Sequence, residues 1–197
     1  MPRIARAQTE QALDERKDQI KKAALKVFAE KGIAGTKMSM IAEEAGISQG
    51  LSYRYFESKD EIFTLLVEEA IEESQNAVRT IQQLPGSPLE QLRTFTLRLL
   101  DDNHKQFFLL IQQAQKSEGV PRKAKEVIER YSPQNTIEHI IPIVVRGQQE
   151  GQFAEGDPYK RLIVFLSVVT GLMLQDAKAM GIDWTQEVDL LLNIMTK

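Results

Sequence analysis

The 197-residue chain has no cysteine, a single tryptophan and only two histidines. Lacking cysteine, it can form neither disulfides nor thiolate metal sites, which suits a reducing compartment. The histidines, His104 and His139, stand in different segments. With no thiol nucleophile, phosphate loop or metal-binding helix motif beside them, an enzyme is the least favoured class and no cofactor or metal is expected. Long apolar runs are missing too. The longest nearly charge-free stretch, Leu162 to Leu174, falls short of the ~20 residues a membrane-spanning helix needs and reads as a buried helix. The opening "MPRIARAQTEQALDERKDQ" is polar and charged, without the apolar core of a secretory signal. A cytoplasmic protein without a membrane partner is the expectation. Alternating strand patterns are also absent, whereas nearly every segment carries the helical period, so the fold class is all-α.

The charge that is present is unevenly placed. Residues 1–60 hold eleven Lys and Arg against nine Asp and Glu, a surplus of two positive charges. The rest of the chain carries a surplus of five negative charges. That direction fits a nucleic-acid-facing front and a second part with another task.

About nine helices are expected. The first runs from about Glu10 to Lys31, with Ile20, Ala23, Ala24, Val27 and Phe28 as its apolar stripe and Gly32 as its stop. A short one follows from about Lys37 to Ala45, ended by Gly46. Ser48 caps a third that reaches Tyr55 or Phe56. "SKDE" at Ser58–Glu61 is a capping box opening a long helix to about Gln83. "LPGSP" at Leu84–Pro88 is the strongest punctuation and the expected domain boundary, with Ser87-Pro88 starting the next helix. Further helices are expected at about 105–116, 121–131 and 132–149, the last kinked or unwound at Pro142. Asp157-Pro158 opens a long apolar helix to about Met180, and Asp183 caps a final one. The front domain is thus residues 1–60, a linking helix spans about 59–83, and residues 61–197 form a helical bundle.

Two short helices separated by Gly46-Ile47-Ser48 have the spacing of a helix-turn-helix. Ala42 is small enough for a close helix crossing, Gly46 can take the positive φ of the turn, and Ile47 fills the angle. On the third helix Ser52 and Phe56 share the inward face, leaving Ser48, Gln49, Gly50, Tyr53 and Arg54 outside. Exposed Gln and Arg on a short helix pack poorly but read adenine and guanine edges well.

The stretch "GIAGTKMSMIAEEAGISQGLSYRYFESKDEIF", Gly32 to Phe63, resembles the DNA-binding region of the TetR family of bacterial transcription regulators. The resemblance rests on Gly32, Thr36, Ile41-Ala42, Ala45-Gly46-Ile47-Ser48, Gly50, Tyr53, Tyr55-Phe56 and Ser58-Lys59. It implies that Thr36 and Lys37 touch phosphate at the start of the second helix. Ser48, Gln49, Gly50 and Arg54 would face the groove, and Tyr53 and Tyr55 would grip backbone and thymine methyls. Lys59 would reach a phosphate from the start of the fourth helix. Arg3 and Arg6 could add a flexible arm. Ser52 departs from the family pattern, where a bulky aliphatic residue usually precedes the first tyrosine. A buried hydroxyl there needs a partner, or Leu51 must turn inward.

The family resemblance further implies a small-molecule effector held in the second part, and a homodimer with two reading heads on a palindromic operator in double-stranded DNA would fit that function. Leu162 to Leu174 is apolar on more than one face and, with the final helix, suggests a two-fold interface. Phe107, Phe108, Gln112, Tyr131 and Met173, with Met180, lie on helices that could enclose an effector. "RGQQEGQF", Arg146 to Phe153, is similar to a turn often found before the last helices of these proteins. The favoured function is a ligand-released repressor. A ligand-independent architectural DNA-binding protein is the alternative, and a front domain with so small a positive surplus is poorly equipped for it.

Overall fold

The computed structural model describes residues 2–117, 119–131, 133–175 and 179–196, with side chains from Leu13 onward except Pro133 and Asn135. The side chains of Arg3 and Arg6 therefore lie outside the described residues. So do Glu118, Ser132 and residues 176–178, and the helix start expected at Ser132 falls among them. Among the described residues there are ten α-helices and no strand.

In order these are α1 (Pro2–Gly35), α2 (Met38–Glu44), α3 (Gln49–Ser52), α4 (Lys59–Thr80), a 3-10 turn (Ile81–Gln83), α5 (Pro88–Leu100), α6 (Asp102–Lys116), α7 (Arg122–Arg130), α8 (Pro133–Gln149), α9 (Pro158–Met173) and α10 (Val188–Leu192). The chain forms two compact units. One comprises Met1–Glu69 and Leu109–Glu129, the other Ala70–Phe108 and Arg130–Lys197.

The first unit is built on α1. Its apolar stripe is buried at Ile20, Ala23, Ala24, Val27 and Phe28. The helix path breaks at Gly32 (φ 67, ψ 170), a conformation glycine adopts without a Cβ clash. Phe28 and Phe63 of α4 are both fully buried and meet edge to face, ring centroids 5.1 Å apart. Lys21 on α1 joins Glu69 of α4 at 2.7 Å and Asp18 at 2.9 Å. Burial works to lower the Lys21 pKa, but hydrogen bonds and charge from those two carboxylates outweigh it and hold the ammonium above its ordinary value.

In the second unit α5, α8, α9 and α10 enclose a core that includes Leu92, Phe95, Ile140, Ile143, Phe153, Leu162, Phe165, Val169, Val188 and Met195. Ser87 and Glu90 form a full capping box for α5, the Glu90 carboxylate accepting Ser87 N–H at 2.7 Å. The box expected at Ser58 is only half formed. Ser58 Oγ accepts Glu61 N–H, but the Glu61 carboxylate accepts from Glu57 instead. Four other expectations are corrected. Helix α3 ends at Ser52 and relaxes into turns up to Phe56. Helix α8 runs through Pro142 without unwinding. Helix α9 ends at Met173, where Leu174 and Gln175 amides turn back on Gly171 and Leu172. Asp183 heads a turn, accepting from Thr185 and Gln186, rather than capping α10 directly.

The Arg146–Phe153 stretch is the end of α8 and its turn. Gly147 O accepts both the Gln152 and Phe153 amides, and Gly151 supplies the positive φ of 71°. That closure lays the buried Phe153 ring over Gly147, where a Cβ would overlap it. Alanine is ordinarily better than glycine inside a helix by ~1 kcal/mol. Here the sign reverses: Gly147→Ala should destabilise the protein by about 1–3 kcal/mol, read from the urea unfolding midpoint. An unchanged or raised midpoint would contradict this packing.

Candidate nucleic-acid interface

All residues of the front motif lie in the first unit, so their geometry can be built up from α1. Helix α2 packs on α1 through Met38, Ile41 and Ala42, and Ala42 is 2% exposed, as a close crossing needs. Gly46 takes φ 66°, and Ile47 N–H returns to Ala42 O at 2.9 Å, closing α2 with a Schellman-type turn. Gln19 on α1 donates to Ala45 O at 2.7 Å and is itself held by Arg16 at 2.6 Å. That bond steadies the turn from outside the motif, and nothing in the sequence period marks Gln19 as different from any other helix-surface glutamine.

Ser48 is the N-cap of α3, its hydroxyl accepting Leu51 N–H at 3.2 Å. Ser52 and Phe56 are both buried, as their shared face requires. The Ser52 hydroxyl finds its partner locally, donating to Gln49 O at 2.7 Å, so a polar group sits at the base of the helix without an unmet bond. Leu51 stays half-buried rather than turning fully inward. With Ser52 seated, Ser48, Gln49, Gly50, Tyr53 and Arg54 are exposed together, and Tyr55 is half-buried beside them. A Cβ added at Gly50 would meet nothing within 4 Å, so packing within the chain does not demand glycine there.

The flanking positions divide. Lys37 is exposed, in extended conformation at the head of α2. Thr36 is 1% exposed and its hydroxyl donates to Gly32 O at 2.7 Å, which turns the side chain inward. Lys59 likewise turns in. Its ammonium donates to Ile33 O at 2.7 Å and Thr36 O at 2.8 Å.

The five expected effector residues are not gathered in one unit. Gln112 belongs to the first unit and the other four to the second. There, Met173 is in the core and Phe108 packs against it. Phe107 is half-buried, and the Tyr131 hydroxyl lies 3.2 Å from Ser74 Oγ. Met180 is 55% exposed. On α9, Leu162, Phe165 and Val169 point into the core while Val164 (54% exposed) and Val168 face out, and Leu190 of α10 is also exposed. No helix among the described residues is long and apolar enough to cross a membrane, and no cluster of His, Asp and Glu among them could hold a metal ion.

Comparison with known proteins bears on the same stretch. Residues 20–66 match the family described as bacterial regulatory proteins, tetR family. The uncharacterized HTH-type transcriptional regulator YerO of Bacillus subtilis is 35% identical over 103 residues, covering 50% of this chain but 36% of its own length. The HTH-type transcriptional regulator AcrR of Shigella flexneri is 25% identical over 171 residues, covering 73% of this chain and 79% of its own. The solved ketosteroid transcriptional regulator KstR2 of Mycobacterium tuberculosis superposes with a TM-score of 0.65 at 21% identity, over 92% of this chain and 95% of that one.

The geometry makes Gln19 a support for the interface rather than a reader. Gln19→Ala strips the partner from the buried turn at Ala45, with an expected loss of about 1–2 kcal/mol. Thermal unfolding measures it, and a variant as stable as the parent would remove this role.

Proposed function

We propose that this chain, which belongs to the TetR family of bacterial regulatory proteins and carries its DNA-binding helix-turn-helix, is a homodimeric repressor released from a palindromic operator by a small-molecule effector. One observation carries the reading: Ser52 and Phe56 anchor a segment from below while Gln49, Gly50, Tyr53 and Arg54 stand exposed on its other side. In a major groove, Gln49 would accept and donate at an adenine edge, Arg54 would fork onto guanine, and Gly50 would let the backbone approach closely. Lys37 and the tyrosines would hold phosphates, which position without specifying sequence.

A two-fold partner is supported by α9 and α10. Their inward faces already fill the core of the second unit, yet Val164, Val168 and Leu190 remain apolar and open. A second copy laid on that face would bury them and place two reading segments on one symmetry axis, suited to half-sites about one helical turn (~34–36 Å) apart. Effector binding in the second part would act through α4, which belongs to the first unit up to Glu69 and to the second from Ala70. A relative named as a ketosteroid regulator supports an effector of small, largely apolar character, held near Phe107, Phe108, Tyr131 and Met173. Gln112 is kept as a further candidate there. Effector and operator would then weaken each other's binding by the same factor.

Selecting bound duplexes from a random pool tests the reading directly. The expected outcome is an inverted repeat bound far more tightly than scrambled duplex at matched salt, whereas equal affinity for all sequences would favour an architectural protein. Gln49→Ala and Arg54→Ala should each relax preference at particular base pairs, with about 1–3 kcal/mol of discrimination lost. Lys37→Ala, which removes one contact from each copy of the dimer, should weaken all duplexes alike and lower the slope of log affinity against log salt by about 1.8. For the interface, Val164→Arg should convert a dimer to a monomer in sedimentation equilibrium, and an unchanged mass would place the partner elsewhere.

A further inference from the structure

A lysine at the first position of a long helix is electrostatically misplaced, because the helix N-terminus carries partial positive charge. Lys59 holds that position in α4. Its ammonium does not run out into solvent; it donates to Ile33 O at 2.7 Å and to Thr36 O at 2.8 Å, in the turn between α1 and α2. These are charge-assisted bonds on carbonyls that the end of α1 leaves without helical partners. The rest of that turn is closed by Thr36 itself, whose hydroxyl donates to Gly32 O at 2.7 Å and whose amide donates to Ile33 O at 3.3 Å.

We infer that Lys59 serves DNA binding as a positioning residue, fixing the α1–α2 turn and with it Lys37, and not as a phosphate contact in its own right. The inference rests on the regulator reading above. Its mechanism follows from the planar peptide. Thr36 C=O and Lys37 N–H belong to one rigid unit and point in opposite directions, so holding the oxygen orients the amide. Lys37 sits exposed directly after that bond, in extended conformation at the head of α2. Lys59 thereby locks the first residue of the motif to the first residue of α4. A guanidinium is no substitute: the two carbonyls converge on one nitrogen, whereas arginine spreads its donors over a planar fork.

The test uses the full chain and the duplex selected by the parent protein. Lys59→Met, Lys59→Arg and a control core variant, Val67→Ala, are compared at a temperature where circular dichroism shows all of them folded. Affinity is measured across a range of salt. The inference expects Lys59→Met to bind about tenfold more weakly at every salt concentration, Lys59→Arg not to restore binding, and Val67→Ala to bind like the parent despite a comparable drop in melting temperature. Parent-like binding by Lys59→Arg, together with a salt slope lowered by about 1.8 per bound dimer in Lys59→Met, would identify a phosphate contact and overturn it. Equal binding by Lys59→Met and Val67→Ala would reduce Lys59 to general stability and overturn it as well. If Lys59→Met fails to fold, Lys59→Gln takes its place in the same comparison. A parent protein that selects no duplex at all defeats the regulator reading itself, an outcome separate from either of these.

Discussion

The segment proposed to read DNA depends on a hydrophobic floor. Phe28 and Phe63, fully buried and edge to face, join α1 to α4, and such aromatic pairs contribute about 0.5–1.5 kcal/mol beyond the area they bury. In the same unit Ile41, Ala42, Ser52 and Phe56 are each nearly inaccessible to water. Helix α3 itself is only four residues long, far below the ~12–15 at which an isolated helix becomes even marginal. Its shape is therefore imposed by what it rests on. Exposure of Gln49 and Arg54 is a consequence of Ser52 and Phe56 being held down, and a rigid scaffold beneath a short exposed segment is what directed base contacts require.

Much of this arrangement was legible in the residues. The apolar stripe of α1, the glycines at 32 and 46, the Ser48 cap and the shared face of Ser52 and Phe56 follow from local rules with a fixed geometry. What was not legible depended on side chains meeting across long sequence separations. Lys59 reads as a solvated or phosphate-seeking cation until Ile33 and Thr36 carbonyls are seen beside it, twenty-six and twenty-three residues away. Thr36 looks displayed but is drawn in by Gly32, four residues back. Gly147 shows nothing of its packing role, though it lies in the recognised Arg146–Phe153 stretch, until Phe153 folds over it. The end of α9 was misplaced because apolar periodicity continues past Met173, while the turn at Gly171 and Leu172 is decided by the backbone.

Ser52 illustrates how a departure from a family pattern can be absorbed. An aliphatic side chain there would contribute burial, roughly 1.5–3 kcal/mol for a full side chain. Serine forgoes that but makes a local bond to Gln49 O, so no polar group is stranded. The bond also ties the base of the segment to the backbone of Gln49, the residue proposed to read an adenine edge. Seating by apolar volume has been exchanged for seating by a directed bond, which fixes angle more strictly than packing does.

The segment just ahead of the motif gathers more of these long-range bonds than any charge pattern suggests. Gln113 of α6 donates to Ala29 O at 2.8 Å, and Lys59 of α4 donates to Ile33 O and Thr36 O. Helices α4 and α6 each begin in one compact unit and end in the other, as α7 does at its last residue. Each contributes a side chain to the carbonyls between Ala29 and Thr36, on either side of the Gly32 break. A packed, hydrogen-bonded helix moves as a unit, whereas a turn following a glycine is the softer element. Displacement of either helix along its axis therefore bears first on this turn and on Lys37 behind it.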